Sequence, residues 1–250
     1  MQPTRSILSI AGFDTSCGAG ICADVKTASS LSFYACTSIT AVTYQNTCGI
    51  QGFKSTSKEE LQNQLKAVLG DISVDAVKIG MISNEDTADV IKKNLKGLDM
   101  PRVLDPVIKS TTGFEIGSAE FYSRVMDNCT VVTPNVYEAG QLTGDGDGIA
   151  DVKSAKKTAK ELSDGFSVVI TGVNGKDVIF DAISDKLHVI GEELKVEKVH
   201  GTGCVYSTSL ACYLSTGLNL FNACKKARRL TISAARKAVR IGNCLPVINP

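Results

Sequence analysis

The sequence predicts an α/β protein built on a mostly parallel sheet with helices covering both faces. Two observations carry that expectation. Short apolar runs alternate along the chain with stretches of helical period, which is the pattern of repeated strand–helix–strand units. The chain also has 250 residues, 43% of them hydrophobic, enough to bury a substantial core. No internal repeat, low-complexity tract or linker breaks the pattern, so residues 1–250 are expected to form one domain.

The elements follow in order. SILSIA (6–11) reads as a buried strand, followed by a glycine turn and a helix through about Leu31. Residues 34–43, rich in Thr, Ile and Val, read as a second strand. Residues 58–69 are helical by period. AVKIGM (76–81) reads as a strand and 84–95 as a helix. RVLD (102–105) is a short strand stopped by Pro106. A helix near 119–126 leads to the strand TVVT (130–133), and a further helix starts near Asn135. Residues 151–163 are helical and SVVIT (167–171) is a strand. Residues 177–190 read as a hairpin, VIFDAIS then KLHVI, and two helices finish the chain.

Composition narrows the function classes. Net charge is +1, which gives no global attraction to nucleic acid or membrane. The basic residues after Glu197 gather on one helical stretch, Lys225, Lys226, Arg228, Arg229, Arg236, Lys237 and Arg240, opposite Ala223, Ala227, Leu230, Ala234, Ala238 and Ile241. This is the pattern of an amphipathic surface helix. Nine cysteines include no Cys-x-x-Cys pair, and there are only two histidines. Reduced thiols are the simplest account, with neither a zinc site nor a disulfide framework. The first residues lack a signal-peptide pattern and no apolar stretch is long enough to span a bilayer, so a cytoplasmic protein is expected.

In open parallel sheets ligands bind beyond the carboxyl ends of the strands. The residues there are Gly12–Gly20, Gln45–Asn46, Gly80–Met81, Asp105, Asn135–Glu138, Thr171–Gly172 and the turn His200-Gly-Thr-Gly-Cys204, mostly glycines and polar residues. That turn opens a helix, whose free N–H groups and positive dipole end attract anions and favour a thiolate at Cys204. A loop-to-helix turn with a buried cysteine is the plainer alternative. Asn135 and Glu138 suit a Mg²⁺ that bridges phosphates, and they suit a capping box equally well. Asp105 fits a metal ligand or a turn cap. Asp24 lies in the first two turns of its helix, facing crevice or solvent. Lys78, in an apolar strand, needs a carboxylate partner or an exit to the strand end. A P-loop and a His-Glu-x-x-His motif are absent. GDGDG (144–148) has Lys156 where a calcium loop needs Glu, so it reads as a surface turn.

Taken together, SIAGFDTSCGAGICADVKT, ITAVTYQNTCGIQG, VDAVKIGM, VLDPV, TPNVYEA, HGTGC and IGNCLPVINP make the chain resemble the hydroxymethylpyrimidine and phosphomethylpyrimidine kinases of thiamine synthesis. These are ribokinase-like proteins related to the pyridoxal kinases. The resemblance implies a three-layer α/β/α sandwich with a mostly parallel sheet. It implies ATP and Mg²⁺ acting on a small pyrimidine and its monophosphate, and a homodimer. By motif match Gly12, Asp24, Gln45, Met81 and Val107 take the pyrimidine, and Asn135 and Glu138 the Mg²⁺–phosphate, with Asp105 as a further metal ligand. Thr171 and Gly172 take ATP. Gly201, Thr202 and Gly203 form the anion hole, and Cys204 is the catalytic base, its pKa lowered by about one from the helix terminus. The chain departs from the family pattern at Phe13, Cys17 and Cys22, and Thr171-Gly172-Val173 stands where Lys-Gly-Gly is common. Thr171 is closer to the vitamin B6 kinases, which makes pyridoxine or pyridoxal the alternative substrate. A non-catalytic ligand-binding relative is a third reading.

Overall fold

Along β1 (Ser6–Phe13), Leu8 and Ile10 turn to one face of the sheet and Ile7 to the other. The same alternation runs through Val77 and Ile79 against Ala76, Leu104 against Val103, Val132 against Val131, and Val168 and Ile170 against Val169. Strands that are apolar on both faces must be covered on both, and this produces three layers. The computed structural model describes residues 4–146, 148–191 and 198–250.

The remaining elements in chain order are α1 (Gly20–Ser30), β2 (Tyr34–Asn46), β3 (Gly49–Ser55), α2 (Lys58–Leu69), β4 (Ala76–Ile79), α3 (Glu85–Leu95), β5 (Arg102–Leu104), α4 (Ala119–Met126), β6 (Val131–Val132), α5 (Val136–Thr143), α6 (Val152–Leu162), β7 (Ser167–Val173), β8 (Lys176–Asp181), β9 (Lys186–Ile190), α7 (Thr202–Ser215) and α8 (Leu220–Arg236). Among the described residues the sheet has nine strands in the order β3-β2-β1-β4-β5-β6-β7-β8-β9. Strands β2, β1, β4, β5, β6 and β7 run parallel, and β3, β8 and β9 are antiparallel additions at the edges. Helices α2 to α6 pack on the Leu8 face, and α1, α7 and α8 on the Ile7 face. The mostly parallel α/β/α sandwich is therefore as expected.

Chain direction across the sheet reverses at β1, with β2 on one side and β4 on the other. A crevice opens at such a switch point because the crossovers leave in opposite directions. Caps set the helix starts: Ser57 with Glu60 on α2, Asn84 on α3, Ser118 on α4, Asp151 on α6 and Asn219 on α8.

The structure corrects the sequence reading at several points. Strand β3 (GIQGFKS) carried no recognised strand pattern, since two glycines break its alternation; it forms as the antiparallel partner of β2. The first hairpin strand stops at Asp181, and 182–185 turn. Helix α8 ends at Arg236, so Lys237, Arg240 and Ile241 lie beyond it, and Ile241 is 63% exposed. Arg228 faces inward, with its guanidinium 3.0 Å from Asp177. The chain then folds back, pairing Val247 with both Val239 and His200. Cys48 and Cys244 form a disulfide across 196 residues, against the expectation of reduced thiols. Spacing in the sequence carries no signal for a pair brought together by this folding back. In the GDGDG stretch, Asp147 lies outside the described residues.

Candidate active site

Two helix N-termini converge over the switch point. Gly201, at φ +94°, caps α7, and a Cβ there would meet the Gly18 carbonyl oxygen at 1.9 Å. Gly20, at φ +54°, opens α1, and its N–H donates to Cys204 Sγ at 3.4 Å. Both positions require glycine, for close backbone approach and for positive φ. The amides of two helix ends thus face one space, where the dipoles favour an anion.

That space is a cavity of about 780 Å³. Of the residues singled out in the sequence, Gly12, Gln45, Met81, Asp105, Val107, Asn135, Glu138, Thr171, Gly172, Gly201, Thr202, Gly203 and Cys204 all line it. Gly12 passes so close to Met81 that a Cβ there would lie 2.8 Å from the Met81 sulfur. Met81 and Val107 form an apolar wall with Ala41 and Ile116.

Asp24 is placed differently from the expectation. It is 1% exposed and does not line the cavity. Its carboxylate is taken up by Lys78 Nζ at 2.9 and 3.0 Å, Ser9 Oγ at 2.5 Å and Thr208 Oγ1 at 2.7 Å. Each of these donors comes from a different element, so the carboxylate ties β1, β4 and α7 to α1 beneath the cavity rather than meeting a ligand. Lys78 is fully buried and held charged: burial disfavours its ammonium, but Asp24, Cys204 and Asp105 together push its pKa above the usual lysine value.

Asn135 and Glu138 form the capping box in full. Glu138 N–H donates to Asn135 Oδ1 and Asn135 N–H to Glu138 Oε2, both at 2.9 Å. The pair also faces the cavity, so the cap does not exclude a second role. Burial, with the nearby Asp105, pushes the Glu138 carboxyl up to about 8. Asp105 is raised too, first by burial and also by Asp24, against Lys78 and the 3.0 Å bond donated by Ser207. Among the described residues no group of three or more His, Cys, Asp or Glu gathers. Two crowded carboxylates beside two helix N-termini nevertheless fit Mg²⁺, which takes one or two carboxylates and fills its shell with water and phosphate.

Cys204 corrects a second expectation. Its thiol is pushed up to about 12, by burial first and then by Asp24 and Asp105, against Lys78 and the Gly20 N–H. The helix end is present, but desolvation outweighs it.

Other cavity residues had been given no role of their own. Asp14 and His200 meet at 2.9 Å although 186 residues apart. Lys78 was noticed as unusual but not as lining the cavity. Lys109 and Thr111 come from a short flap closed by the Lys109–Glu115 bridge. Asp177, Tyr206 and Arg228 line the far end near Thr171 and Gly172, and Gly172 N–H donates to Asp177 at 3.2 Å. The placement of Asp14 in the glycine-rich loop and of His200 before the turn was the available signal.

The Glu138 shift has a consequence for stability. A carboxyl whose pKa is raised on folding holds its proton more tightly in the folded state than in the unfolded one. Stability is then full below about 4.5 and declines as pH rises through about 8. Asp105 is shifted in the same direction. Thermal melts of the ligand-free protein are expected to show Tm falling across that window, with Glu138→Gln flattening the fall. An unchanged slope in the variant would remove Glu138 as its source.

The phosphomethylpyrimidine kinase family profile matches residues 14–248. The chloroplastic thiamine biosynthetic bifunctional enzyme of Arabidopsis thaliana is 34% identical over 248 residues, 94% of this chain and 47% of that protein. The chain thus spans about half the length of that relative. The hydroxymethylpyrimidine/phosphomethylpyrimidine kinase of Rhizobium meliloti is 33% identical over 248 residues, 95% of this chain and 93% of that one. Among solved structures, the pyridoxal kinase of Staphylococcus aureus in complex with pyridoxal matches with a TM-score of 0.87 at 25% identity, covering 99% of this chain and 93% of that one. The phosphomethylpyrimidine kinase of Clostridium difficile matches at 0.78 and 30% identity, covering 92% and 99%.

Proposed function

The chain belongs to the phosphomethylpyrimidine kinase family, and from that premise we propose that it transfers the γ-phosphoryl group of ATP to 4-amino-5-hydroxymethyl-2-methylpyrimidine and then to the monophosphate, in thiamine synthesis. The observation that carries the proposal is one cavity shared by an apolar wall at Met81 and Val107, two helix N-termini, and the Asp105–Glu138 carboxylates.

Gly12, Gln45, Met81 and Val107 hold the pyrimidine; Asp24 braces the floor below. The nucleotide lies toward Thr171 and Gly172. Asp105 and Glu138 would hold Mg²⁺, which when bound neutralises phosphate charge. The first-turn amides at Thr202, Gly203 and Cys204 face the γ-phosphoryl oxygens and keep their aim throughout transfer. A bond forms from the hydroxymethyl oxygen to phosphorus, the bond to the ADP oxygen breaks, and the hydroxyl proton passes to Cys204 Sγ. In the ligand-free protein Cys204 is a thiol. Mg²⁺ held at Asp105 and Glu138 would favour the thiolate, against burial first and then the neighbouring Asp24 and Asp105.

Cys204→Ala is expected to lower turnover by about 10²-fold, the low end for a general base, because the transition state is loose and little charge builds on the attacking oxygen. Cys204→Asp should recover part of the loss. Near-normal turnover of Cys204→Ala across pH 6 to 9, an assay range of about three units, would make the thiol a bystander.

The second reading, a vitamin B6 kinase, draws support from Thr171 and from the fit to the pyridoxal kinase. One assay separates the readings: ATP consumption with the hydroxymethylpyrimidine, its monophosphate, pyridoxine and pyridoxal side by side. Turnover confined to the B6 vitamers would replace the pyrimidine reading, and no turnover with any of them would favour a non-catalytic relative. The proposal also includes a single catalytic domain, a cytoplasmic setting and a homodimer. The exposed Val42 and Tyr44 on β2 offer a contact for the homodimer. No described helix is long and apolar enough to cross a membrane.

A further inference from the structure

His200 is bonded to four separate pieces of the chain, and two of these cover the cleft. Its Nε2 lies 2.9 Å from Asp14 Oδ2 in the glycine-rich loop and 2.8 Å from the amide tip of Gln45 on β2. Its Nδ1 lies 3.2 Å from Thr111 Oγ1 in the 108–116 flap. Its backbone donates to Pro246 and accepts from Ile248 in the C-terminal segment. The ring packs on Gly18 so closely that a Cβ there would lie 2.6 Å from His200 Cδ2.

We propose that His200 is the positioning residue that pins both covers of the pyrimidine end, the β2–β3 hairpin through Gln45 and the flap through Thr111, to the carboxylate of Asp14, and so sets which face of the Gln45 amide meets the substrate. The inference deepens the kinase reading and rests on it for the identity of the substrate.

Asp14 is a fixed point. Its carboxylate accepts from Ser16 N–H and Oγ–H and from the N–H groups of Gly18 and Ala19. Burial alone raises its pKa, but the bonds from His200 and Ser16 outweigh this and hold it below the ordinary value. An ionised carboxylate only accepts, so the proton on Nε2 points at Asp14. Nδ1 then accepts from the Thr111 hydroxyl.

The oxygen and nitrogen of an amide tip are assigned from the bonds around them. An NH₂ group of Gln45 beside Nε2 would set donor against donor, so the amide oxygen belongs on the histidine side, sharing the Nε2 proton with Asp14, and the NH₂ group turns to the Thr43 hydroxyl oxygen and the cavity. A ring nitrogen with a free lone pair is the partner such a donor selects. A pyrimidine ring supplies such nitrogens. The hairpin itself is held separately, through the Cys48–Cys244 bond and the Leu245 N–H to Thr47 bond. Losing His200 therefore frees the Gln45 tip and the flap without releasing the hairpin.

The test compares His200→Ala, His200→Gln and Thr111→Val. His200→Ala is expected to raise KM for the pyrimidine about 10- to 100-fold, the worth of a charge-assisted bond, and to leave KM for ATP within about twofold. His200→Gln keeps a donor toward Asp14 and should recover most of the loss. Thr111→Val frees only the flap and should raise the pyrimidine KM about two- to tenfold, the worth of a neutral bond. In parallel, amide hydrogen exchange should quicken at 45–50 and 108–116 in His200→Ala, and at 108–116 alone in Thr111→Val. Equal rises in both KM values would overturn the proposal, because damage to the adjoining Gly201 turn produces that pattern. An unchanged pyrimidine KM, or unchanged exchange in His200→Ala, would overturn it as well. Wild-type protein inactive on every pyrimidine would sink the kinase reading, and the exchange measurement would still decide the role of His200.

Discussion

Gly201→Ala is expected to cut turnover by more than about 10³-fold while leaving the sheet intact. Removing one preorganised backbone donor costs about 10²–10³-fold, and this substitution disturbs several at once. Gly201 caps α7 at φ +94°, where an L side chain is strained. Its new Cβ would lie 1.9 Å from the Gly18 carbonyl oxygen and 2.8 Å from Ile248 Cγ2. The first obstacle is backbone, so rotating a side chain brings no relief. The glycine-rich loop and the α7 turn must separate, and the amides of α1 and α7 lose their common target. Turnover together with far-UV circular dichroism checks this. Native-like secondary structure with turnover within about tenfold of wild type would mean that the amides are not the anion hole.

Lys78→Met is expected to destabilise the protein by about 3–5 kcal/mol, the usual cost of removing one partner from a buried ion pair. Lys78 and Asp24 are 0% and 1% exposed, with 2.9 Å between nitrogen and oxygen. Without the ammonium, Asp24 keeps only the hydroxyls of Ser9 and Thr208, and Asp105 and Cys204 lose a nearby positive charge. Asp24→Asn should cost less than Lys78→Met, because an amide can still accept from Lys78 and the hydroxyls. Replacing both partners by apolar residues of similar size should recover most of the loss. Urea unfolding of the single and double variants measures the coupling. Additive losses in the double variant would show that the pair is not an interacting unit.

Much of the site was legible because parallel α/β sheets gather ligands at their strand ends. Gly12 and Thr171 sit near the ends of β1 and β7, Met81, Asp105 and Asn135 follow β4, β5 and β6, and with the 200–204 turn they line the cavity. Strand β3 was not legible, because its glycines erase the period of two and only β2 gives it a partner. Asp24 was legible as a carboxylate near a crevice but not as the partner of a lysine 54 residues away. The Asp14–His200 pair was hidden for the same reason.

The sequence by itself determined the layer architecture, the end of the sheet where the cavity opens, and the residue types available there. Each of these follows from a short-range period or from a motif within a few residues. Tertiary structure decided the rest. It turned Asp24 down to Lys78, closed the Cys48–Cys244 bond, let Asn135 and Glu138 cap a helix while facing the cavity, and buried Cys204 beside Asp24 and Asp105, which together hold it as a thiol. The physical reason is range: apolar periodicity is written locally along the chain, whereas burial and electrostatic fields sum over groups that only folding brings together.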